Sequence, residues 1–550
     1  MQGWRKTLAL MLIVVLTVGI VSACSKSDGA NNGGGSASQN QSTPSSTPGN
    51  SGDGSQQQTA QQDDRSERYT ITMLDFRYGT LPPPDGQGIQ MINEKFNVDY
   101  RPTYVSVNDY MQKVSVTLAG GDMPDILILE NPMDPLYYKW AAQGAFLPVT
   151  EFYDQYESLK LIPDFVKEGL RVNGEIYGIP GYTTSTYSIT PMIRVDWLEN
   201  LGLSMPTNYD ELKQVALAFT RDDPDRNGKH DTYGMAMAEN INPQYHLGAY
   251  WDFQAWYHQD EEGNYIPGII SEVRKNHIQW LKELYQAGAI TQDFALINWG
   301  QAYREFFGGK AGMFITTPKG IGNDNVLALL EIDPDAKLAP IPPFVDPDGN
   351  QGFAASEGTY RLIMLNAKLK DEPGKVRRIM EMIDYGRKFI PPSQAGPHNE
   401  DYDWLHGREG SGYKMVDGLP VVEPGDKGLK PRDYLPDLAG WAPNDAANEY
   451  PDQFKSVPLH YELTKLSAEM HDSTKHYYGP NLGLYTPAKQ ENELNLYFLM
   501  YQEQTKMITG QTPIEEWDAM VELYMREGGA QMIKEVNEKI REVGAKPEWR

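Results

Sequence analysis

The stretch Tyr69-Thr-Ile-Thr-Met-Leu alternates polar with apolar residues and is rich in β-branched side chains, which predicts a strand. Apolar residues at helical spacing over residues 88–96 predict a helix, and Val98-Asp-Tyr-Arg-Pro-Thr-Tyr-Val predicts a second strand. Residues 109–119 predict another helix, and Pro124-Asp-Ile-Leu-Ile-Leu predicts a short buried strand. Strands that alternate with helices indicate a parallel sheet with crossover helices, and therefore an α/β fold.

Further helices are predicted C-terminal to this unit. Apolar residues recur at helical spacing in six later segments, residues 197–201, 210–219, 273–286, 375–388, 491–509 and 514–543. The sequence shows no internal repeat. The pattern therefore favours an α/β protein whose C-terminal part is rich in helices.

The N-terminus has the features of a bacterial export signal. Arg5 and Lys6 precede an apolar run over residues 8–21 that is too short for a stable membrane-spanning helix. The run ends in Val21-Ser-Ala-Cys, which resembles a bacterial lipobox, and Cys24 is the single cysteine of the chain. The resemblance implies that residues 1–23 are a signal peptide and that Cys24 carries a lipid. An ordinary secretory signal is the alternative.

A long polar segment follows Cys24. Residues 25–65 contain no Leu, Ile, Val, Phe, Trp or Tyr, so they cannot bury enough apolar surface to fold. We interpret residues 24–65 as a lipid anchor and a disordered tether with a root-mean-square span of about 35 Å. This predicts a protein held at the outer face of the cell membrane. The long tether and the lack of a disulfide favour a Gram-positive cell over a periplasm.

Composition and motifs exclude several functions. The net charge of -26 repels phosphate backbones and argues against nucleic acid as a partner. One cysteine excludes an intramolecular disulfide and a zinc site of several thiolates. The sequence has no Gly-x-Ser-x-Gly, no His-Glu-x-x-His and no P-loop motif. His471 and His476 are five residues apart, off the spacing of a helical zinc pair, and are predicted to be surface residues.

Six motifs in order carry a family resemblance. They are Leu118-Ala-Gly-Gly-Asp-Met-Pro-Asp-Ile, Tyr177-Gly-Ile-Pro followed by Ile193-Arg-Val-Asp-Trp-Leu-Glu-Asn-Leu-Gly-Leu, Pro206-Thr-Asn-Tyr-Asp-Glu-Leu, Asp223-Pro-Asp-Arg-Asn-Gly-Lys-His-Asp-Thr-Tyr-Gly, Phe306-Phe-Gly-Gly-Lys-Ala-Gly-Met and Arg408-Glu-Gly-Ser-Gly-Tyr-Lys-Met-Val-Asp-Gly. Together they resemble the extracellular solute-binding proteins of ABC importers, and most closely the large oligosaccharide-binding branch found in Firmicutes.

The resemblance implies a two-lobed fold of the type II periplasmic-binding-protein kind, with ligand held in the cleft between the lobes. The lobes are expected to interleave in sequence, with crossings near residues 178–187 and 354–360. The expected borders are residues 66–185 and 354–430 for the N-lobe, and residues 186–353 and 431–550 for the C-lobe. Ligand that bridges both lobes stabilises the closed form.

The acidic loop that begins at Asp223 follows the pattern of an EF-hand calcium loop. Oxygen-bearing residues stand at alternate positions, and Gly228 stands where the chain must turn sharply. Gly234 replaces the bidentate Glu that normally ends such a loop, so a remote acid, water or the last Asp must complete the site. The resemblance implies a structural Ca²⁺ here, and a solvated acidic turn is the alternative. The predicted ligands are Asp223, Asp225, Asn227, Lys229 through its carbonyl, and Asp231.

A sugar site needs aromatic platforms and side chains that both donate and accept hydrogen bonds. Glu130 and Asn131 follow a buried strand, where open α/β sheets bind ligands, and the comparable turn carries sugar contacts in maltodextrin-binding relatives. For each Trp the alternative is a residue of the core or of the lobe interface. The complete predicted set is Glu130, Asn131, Tyr182, Tyr187, Trp251, Trp256, Trp299, Thr317, Lys319, Tyr360 and Trp441.

The sequence thus predicts a monomeric, non-enzymatic binding protein that captures an oligosaccharide and delivers it to the permease subunits of an ABC importer. Three alternatives stay open: an anchored carbohydrate-active hydrolase, a subunit that presents ligand to a sensor kinase, and a peptide-binding protein. The charge of the glycan also stays open. Arg361, Lys319 and Arg194 could pair with uronate carboxylates, although Arg194 belongs to a scaffold motif.

Overall fold

The computed structural model describes residues 65–78, 80–187, 190–437, 440–448 and 450–550. The predicted signal peptide, the lipidation site at Cys24 and the tether up to residue 64 lie outside these residues. Within the described residues, no helix combines the length and the apolar composition that crossing a bilayer requires.

The first sheet has five strands in the order Val98–Ser106, Tyr69–Arg77, Ile126–Leu129, Thr359–Leu365 and Gly178–Tyr182. The first three are mutually parallel, as the sequence predicts, and Thr359–Leu365 is antiparallel to both of its neighbours. The predicted strands are correct, and the first extends to Arg77, because its inward residues continue into a buried apolar face. This sheet and its helices form the first lobe.

The second sheet has four strands in the order Leu338–Pro340, Thr190–Arg194, Ala311–Thr316 and Tyr233–Met235. Ala311–Thr316 runs parallel to Tyr233–Met235 and antiparallel to Thr190–Arg194. Helices cover this sheet and form the second lobe. The fold is therefore the two-lobed α/β architecture that the sequence predicts.

Helices occupy the expected segments with shifts of one to four residues at their ends. The predicted helix over residues 514–543 is wrong as one element, because a π-helical turn at Met525–Gly529 interrupts it, with Gly528 at φ +116°. The α-helices of four or more residues are Gln87–Phe96, Val107–Ala119, Pro135–Ala142, Glu157–Lys160, Asp164–Gly169, Val195–Leu201, Tyr209–Arg221, Glu272–Gln286, Trp299–Phe307, Asn323–Ile332, Pro373–Gly386, Glu400–Leu405, Asp445–Asn448, Pro458–Ser473, Pro487–Ile508, Trp517–Tyr524 and Ala530–Val543.

The chain passes three times between the two sheets. The first two passages lie between Tyr182 and Thr190 and between Pro340 and Thr359. The third lies after Trp441, since Tyr434, Leu435 and Trp441 pack in the core of the first lobe, whereas Leu463 packs beneath the second sheet. The core of the first lobe thus extends beyond residue 430, where the sequence places a border.

Candidate functional site

Four polar or aromatic side chains meet at the carboxyl edge of the first sheet. Tyr78 follows one parallel strand and Glu130 follows the next, whereas Tyr182 ends the edge strand. Tyr360 lies at the start of the antiparallel strand, which brings it to the same edge. Carboxyl ends of parallel strands are where open α/β sheets bind ligands, so this edge is the natural wall of a site.

Tyr78 faces the second lobe. Its ring lies 6.3 Å from the ring of Trp299 in an edge-to-face arrangement, and its hydroxyl donates a short hydrogen bond to the carboxylate of Glu130. The ring of Tyr360 lies 6.3 Å from Phe76. Tyr78 nevertheless stays 49 % exposed. We call Tyr78, Glu130, Tyr182, Tyr360 and Trp299 the cleft cluster.

The hydroxyls of Tyr78 and Tyr360 are protonated donors at neutral pH. Burial, assisted by Glu130, raises the pKa of Tyr360 to about 12. Partial burial, together with Tyr360 and Glu130, raises the pKa of Tyr78 well above its usual range. Aromatic faces beside neutral donors and a carboxylate acceptor are the combination that a sugar ring with hydroxyls requires.

A buried charge network supports the cleft cluster from below. Asp75 is fully buried, and Arg361 Nη2 donates to its Oδ1 at 2.5 Å, whereas Arg77 binds its other oxygen. Arg361 sits at a bulge in its strand with φ +66°, which directs its guanidinium to Asp75 instead of along the sheet. The two arginines line a cavity of about 310 Å³ with Tyr78, Tyr182 and Tyr360.

A second compartment lies where the two lobes meet the helix Pro487–Ile508. A cavity of about 330 Å³ is lined by Gln254, Trp256 and Glu357, and a neighbouring one of about 150 Å³ by Asn131 and Tyr485. Among the described residues, the buried Trp256 Nε1 and the Tyr485 hydroxyl have no hydrogen-bond partner. Unpaired buried donors are costly, so these two atoms mark a place for ligand or water oxygens.

Tyr182, Tyr187 and Trp441 make contacts in and beside the segments that connect the two lobes. The Tyr182 hydroxyl donates to Asp445 Oδ1 at 2.7 Å, and its ring lies 5.2 Å from Trp441. The Thr186 backbone N–H and hydroxyl donate to the other oxygen of Asp445 at 2.9 and 2.8 Å. The Tyr187 hydroxyl donates to Asp472. Tyr182 and Thr186 thus join the first passage to the third, whereas Tyr187 joins it to the helix Pro458–Ser473.

Several residues of the predicted sugar site lie outside the cleft cluster. Trp251 packs 5.2 Å from Tyr209 beside the second core, and Trp256 belongs to that core. Thr317 precedes the turn Pro318–Gly320, where Lys319 Nζ donates to the carbonyl of Asn448 at 2.7 Å. Glu130, Tyr360 and Trp299 share the cleft cluster with Tyr182, whereas Asn131 lies in the second compartment.

The prediction that His471 and His476 lie on the surface is wrong. Both are buried, at 2 % and 6 % exposure, and His471 Nδ1 lies 3.1 Å from His476 Nε2. The reason is that the helix Pro458–Ser473 packs its inner face on the second lobe, where Thr190 and Ser467 hydrogen-bond near His471.

Two residues of the site escape the sequence analysis, Tyr78 and Asp75. Tyr78 carries the same signal as Glu130, a polar side chain directly after a strand. Asp75 is a charged residue at a buried strand position, which is a sign of a paired functional charge. Both signals are present in the sequence, but neither shows which residues Tyr78 and Asp75 contact.

The Asp223 loop gathers its acidic side chains around one amide. Asn227 Nδ2 donates to Asp225 Oδ2 at 2.7 Å and to Asp231 Oδ1 at 3.1 Å, and the Asn227 backbone N–H donates to Asp223 Oδ1 at 3.1 Å. Gly228 has φ +77°, the left-handed conformation expected at the sharp turn. Burial and the neighbouring Asp223 and Asp231 raise the pKa of Asp225.

These oxygens suit a hard cation in type, because carboxylate and amide oxygens are the ligands that Ca²⁺ takes. Among the described residues, however, no three His, Cys, Asp or Glu side chains come together as a ready metal site. The amide of Asn227 occupies the middle of the loop, and a rotation of this amide would present its oxygen to Asp225 and Asp231.

The two lobes and the site between them define a class of protein, the two-lobed binding proteins that close on a solute. Residues 82–385 match the family of bacterial extracellular solute-binding proteins. The chain belongs to this family, and it is a solute-binding protein.

Three known proteins show the range of its relatives. The chain is 24% identical to lipoprotein LipO of Bacillus subtilis (strain 168) over 473 residues, which cover 83% of this chain and 89% of LipO. It is 26% identical over 318 residues to the polygalacturonan/rhamnogalacturonan-binding protein YtcQ of the same organism, covering 57% and 62% of the two chains. A solved structure of an EF-hand mutant of FusA, an ABC-transporter substrate-binding protein of S. pneumoniae, in complex with fructo-nystose gives a TM-score of 0.61 at 17% identity and covers 86% of this chain and 99% of FusA.

Proposed function

We propose that this solute-binding protein captures an oligosaccharide between its lobes and delivers it to the permease of an ABC importer. The single observation that carries the proposal is the contact of Tyr78 with Trp299 across the lobes, beside the Glu130 carboxylate. Two relatives, the polygalacturonan/rhamnogalacturonan-binding protein YtcQ and the fructooligosaccharide-binding protein FusA, support a glycan ligand.

The cleft cluster performs capture without chemistry. A sugar ring that packs beside Tyr78 and Trp299 exchanges water for aromatic surface from both lobes, and Glu130 accepts a hydrogen bond from a sugar hydroxyl. Since each lobe supplies one face, the ligand stabilises the closed arrangement over the open one. We further propose that Cys24 is lipidated and that residues 24–65 tether the lobes to the outer face of the membrane, which the lipoprotein name of LipO supports.

We expect oligosaccharides of one class to raise the melting temperature of the folded domain and to be recovered intact. A ligand at 100 times its Kd adds about 2.7 kcal/mol to the free energy of unfolding. The measurement is a thermal melt of residues 62–550, the compact unit, against plant and bacterial oligosaccharides, followed by mass spectrometry of the sugar. Cleaved sugar would make the protein a hydrolase, and a response to peptides alone would replace the glycan by a peptide.

We propose in addition that the Asp223 loop binds a structural Ca²⁺. Asp223, Asp225, Asn227 and Asp231 would hold it through side-chain oxygens and Lys229 through its carbonyl. The ion would neutralise the mutual repulsion of the three carboxylates, which the raised pKa of Asp225 reflects. The EF-hand of FusA supports this proposal.

Removal of calcium should lower the melting temperature, because the three carboxylates around Asn227 would then repel one another. Saturating Ca²⁺ should restore the melting temperature, and Asp225→Asn should abolish the response to both chelator and Ca²⁺. The measurement is differential scanning calorimetry with chelator and with added Ca²⁺ or Mg²⁺. Asp260→Asn is the matched control, because Asp260 organises an acidic turn of its own by accepting from the backbone of Glu262 and Asn264. Equal melting temperatures with and without chelator would contradict the proposal.

A further inference from the structure

The second compartment adjoins the cleft cluster. Its cavities of about 330 and 150 Å³ share Gln254 and Glu357 in their linings, so they form one continuous space. The larger cavity lies in the size range of sites for small molecules. Asn131 lines the smaller cavity and directly follows Glu130 of the cleft cluster in the chain. The two sites are therefore neighbours at the same edge of the first sheet.

Two hydrogen-bond donors in the walls of the second compartment lack partners. Trp256 is fully buried and lines the larger cavity, and its Nε1 bonds to none of the described residues. Tyr485 lines the smaller cavity, and its buried hydroxyl is likewise unpaired within the part of the chain that the structure describes. Burial, together with Glu357, raises the pKa of Tyr485 well above its usual range, so the hydroxyl is protonated at neutral pH. Unpaired buried donors are costly, and both atoms therefore favour a bound acceptor.

Glu357 supplies an acceptor beside these donors. It is half-buried and lines the second compartment as well as a wider cavity of about 670 Å³. Its carboxylate makes no hydrogen bond and no ion pair with any residue that the structure describes. Tyr182 of the cleft cluster lines the same wider cavity. Glu357 and the cleft cluster thus border one open space, which a chain of sugar units could follow.

The walls of the larger cavity are acidic. Asp252, Glu357 and Glu493 line it, and Lys489 is the only cation among its described lining residues. Lys489 Nζ lies 4.0 Å from Glu493, so its charge is directed to that carboxylate. Burial raises the pKa of Glu493, but the lining carboxylates outnumber the cation whether or not Glu493 is ionised. A ligand that brought a carboxylate into this cavity would be repelled.

We propose that the second compartment is a sugar subsite, in which Trp256 Nε1 and the Tyr485 hydroxyl donate to sugar oxygens and Glu357 accepts from a sugar hydroxyl. A sugar hydroxyl donates and accepts at once, which suits two unpaired donors beside an unpaired acceptor. The inference rests on the proposed function and deepens it. The solute then has at least two units, one at the cleft cluster and one in the second compartment, and the second unit is uncharged.

The test is calorimetric titration of the protein with maltotriose, cellotriose and β-1,4-galactotriose, each beside its monosaccharide, and with the trimers of galacturonate and glucuronate. We expect one neutral trimer to bind at least about tenfold more tightly than its monosaccharide and than either uronate trimer. Tyr485→Phe removes one donor and should weaken binding of that neutral trimer about fivefold. Glu357→Gln should weaken it by a similar factor and reduce the preference for the neutral trimer over the uronates.

The melting temperature separates lost recognition from misfolding. Tyr485→Phe removes only an oxygen that has no partner among the described residues, so the unliganded variant should melt at the same temperature as the parent or higher. A damaged fold would melt at a lower temperature. Tyr461→Phe, at a half-buried tyrosine of the helix Pro458–Ser473, is the matched control and should change neither the affinity nor the melting temperature.

Each result has a distinct meaning. An affinity for the neutral trimer that stays within about twofold in both variants would overturn the inference and leave the proposed function intact, because water would then satisfy the two donors. A monosaccharide that binds as tightly as its trimer would also overturn the inference alone, and so would a uronate trimer that binds more tightly than every neutral one. Failure of every sugar, neutral or acidic, would overturn the proposed function as well.

Discussion

Replacement of Arg194 by alanine should lower the free energy of unfolding by about 3 kcal/mol or more. Arg194 is 1 % exposed, and its Nε donates to Asp196 Oδ1 at 2.9 Å. Its Nη2 also pairs with Asp333, and its guanidinium lies 4.7 Å above the ring of Trp197. The substitution would leave Asp196 in a buried place without its counter-charge, which is why the expected loss is large.

The same arginine joins three segments of the second lobe. Asp196 lies at the start of the helix Val195–Leu201, and its Oδ1 also accepts the backbone N–H of Lys337 at 3.0 Å. Asp333 follows the helix Asn323–Ile332. Loss of Arg194 would therefore loosen the edge strand of the second sheet as well as one helix.

Urea unfolding followed by tryptophan fluorescence measures the effect. Arg194→Lys should give an intermediate loss, because lysine keeps the charge but cannot make the paired contact of a guanidinium with Asp196. Arg221→Ala, in the exposed last turn of Tyr209–Arg221, should leave the midpoint nearly unchanged. A loss below about 1 kcal/mol for Arg194→Ala would show that water solvates Asp196 and Asp333 well enough to replace the counter-charge of Arg194.

The scaffold could be predicted because its signals are local. The strand of residues 69–77 and its neighbouring strands contain apolar runs of the length typical of strands. The turn at residue 228 has a left-handed backbone conformation, which glycine adopts readily. The family motifs also lie in continuous segments. The helical spacing does not reveal the break within residues 514–543, because it continues on both sides of Gly528-Gly529. The pair of glycines itself favours an interruption of the helix.

The site could be predicted only in part, because its contacts are distant in sequence. Glu130 is predicted from its position after a strand and Tyr360 from its aromatic side chain in polar surroundings, but Tyr78 escapes the sequence analysis, and no local signal joins it to Trp299. Trp256 and Trp299 look alike in the sequence. One lies in the core of the second lobe and the other faces the first lobe, and only the packing of the chain distinguishes them.

Truncation of the cleft aromatics tests the proposed function most directly. Trp299→Ala and Tyr78→Ala should each weaken binding of the oligosaccharide identified in the melting experiment by at least about tenfold, or 1.4 kcal/mol. Each variant removes one of the two aromatic rings against which the sugar is proposed to pack, and the two rings belong to different lobes. Because the two side chains touch, the double variant should lose less than the sum of the single losses.

Trp299 also packs 5.7 Å from Phe314 and 4.9 Å from Tyr303, so Trp299→Ala should lower stability as well as affinity. Trp299→Phe separates the two effects, because it keeps a ring at the site and should retain most of the binding. Tyr285→Ala is the matched control, since Tyr285 is a half-buried aromatic residue that packs 5.7 Å from Phe294 within the second lobe. Titration calorimetry measures the affinity of each variant after its fold has been checked by circular dichroism. Full affinity in a folded Trp299→Ala protein would show that the sugar does not bind at the cleft cluster. The compartment around Asn131, Trp256 and Tyr485 would then be the next candidate for the sugar site.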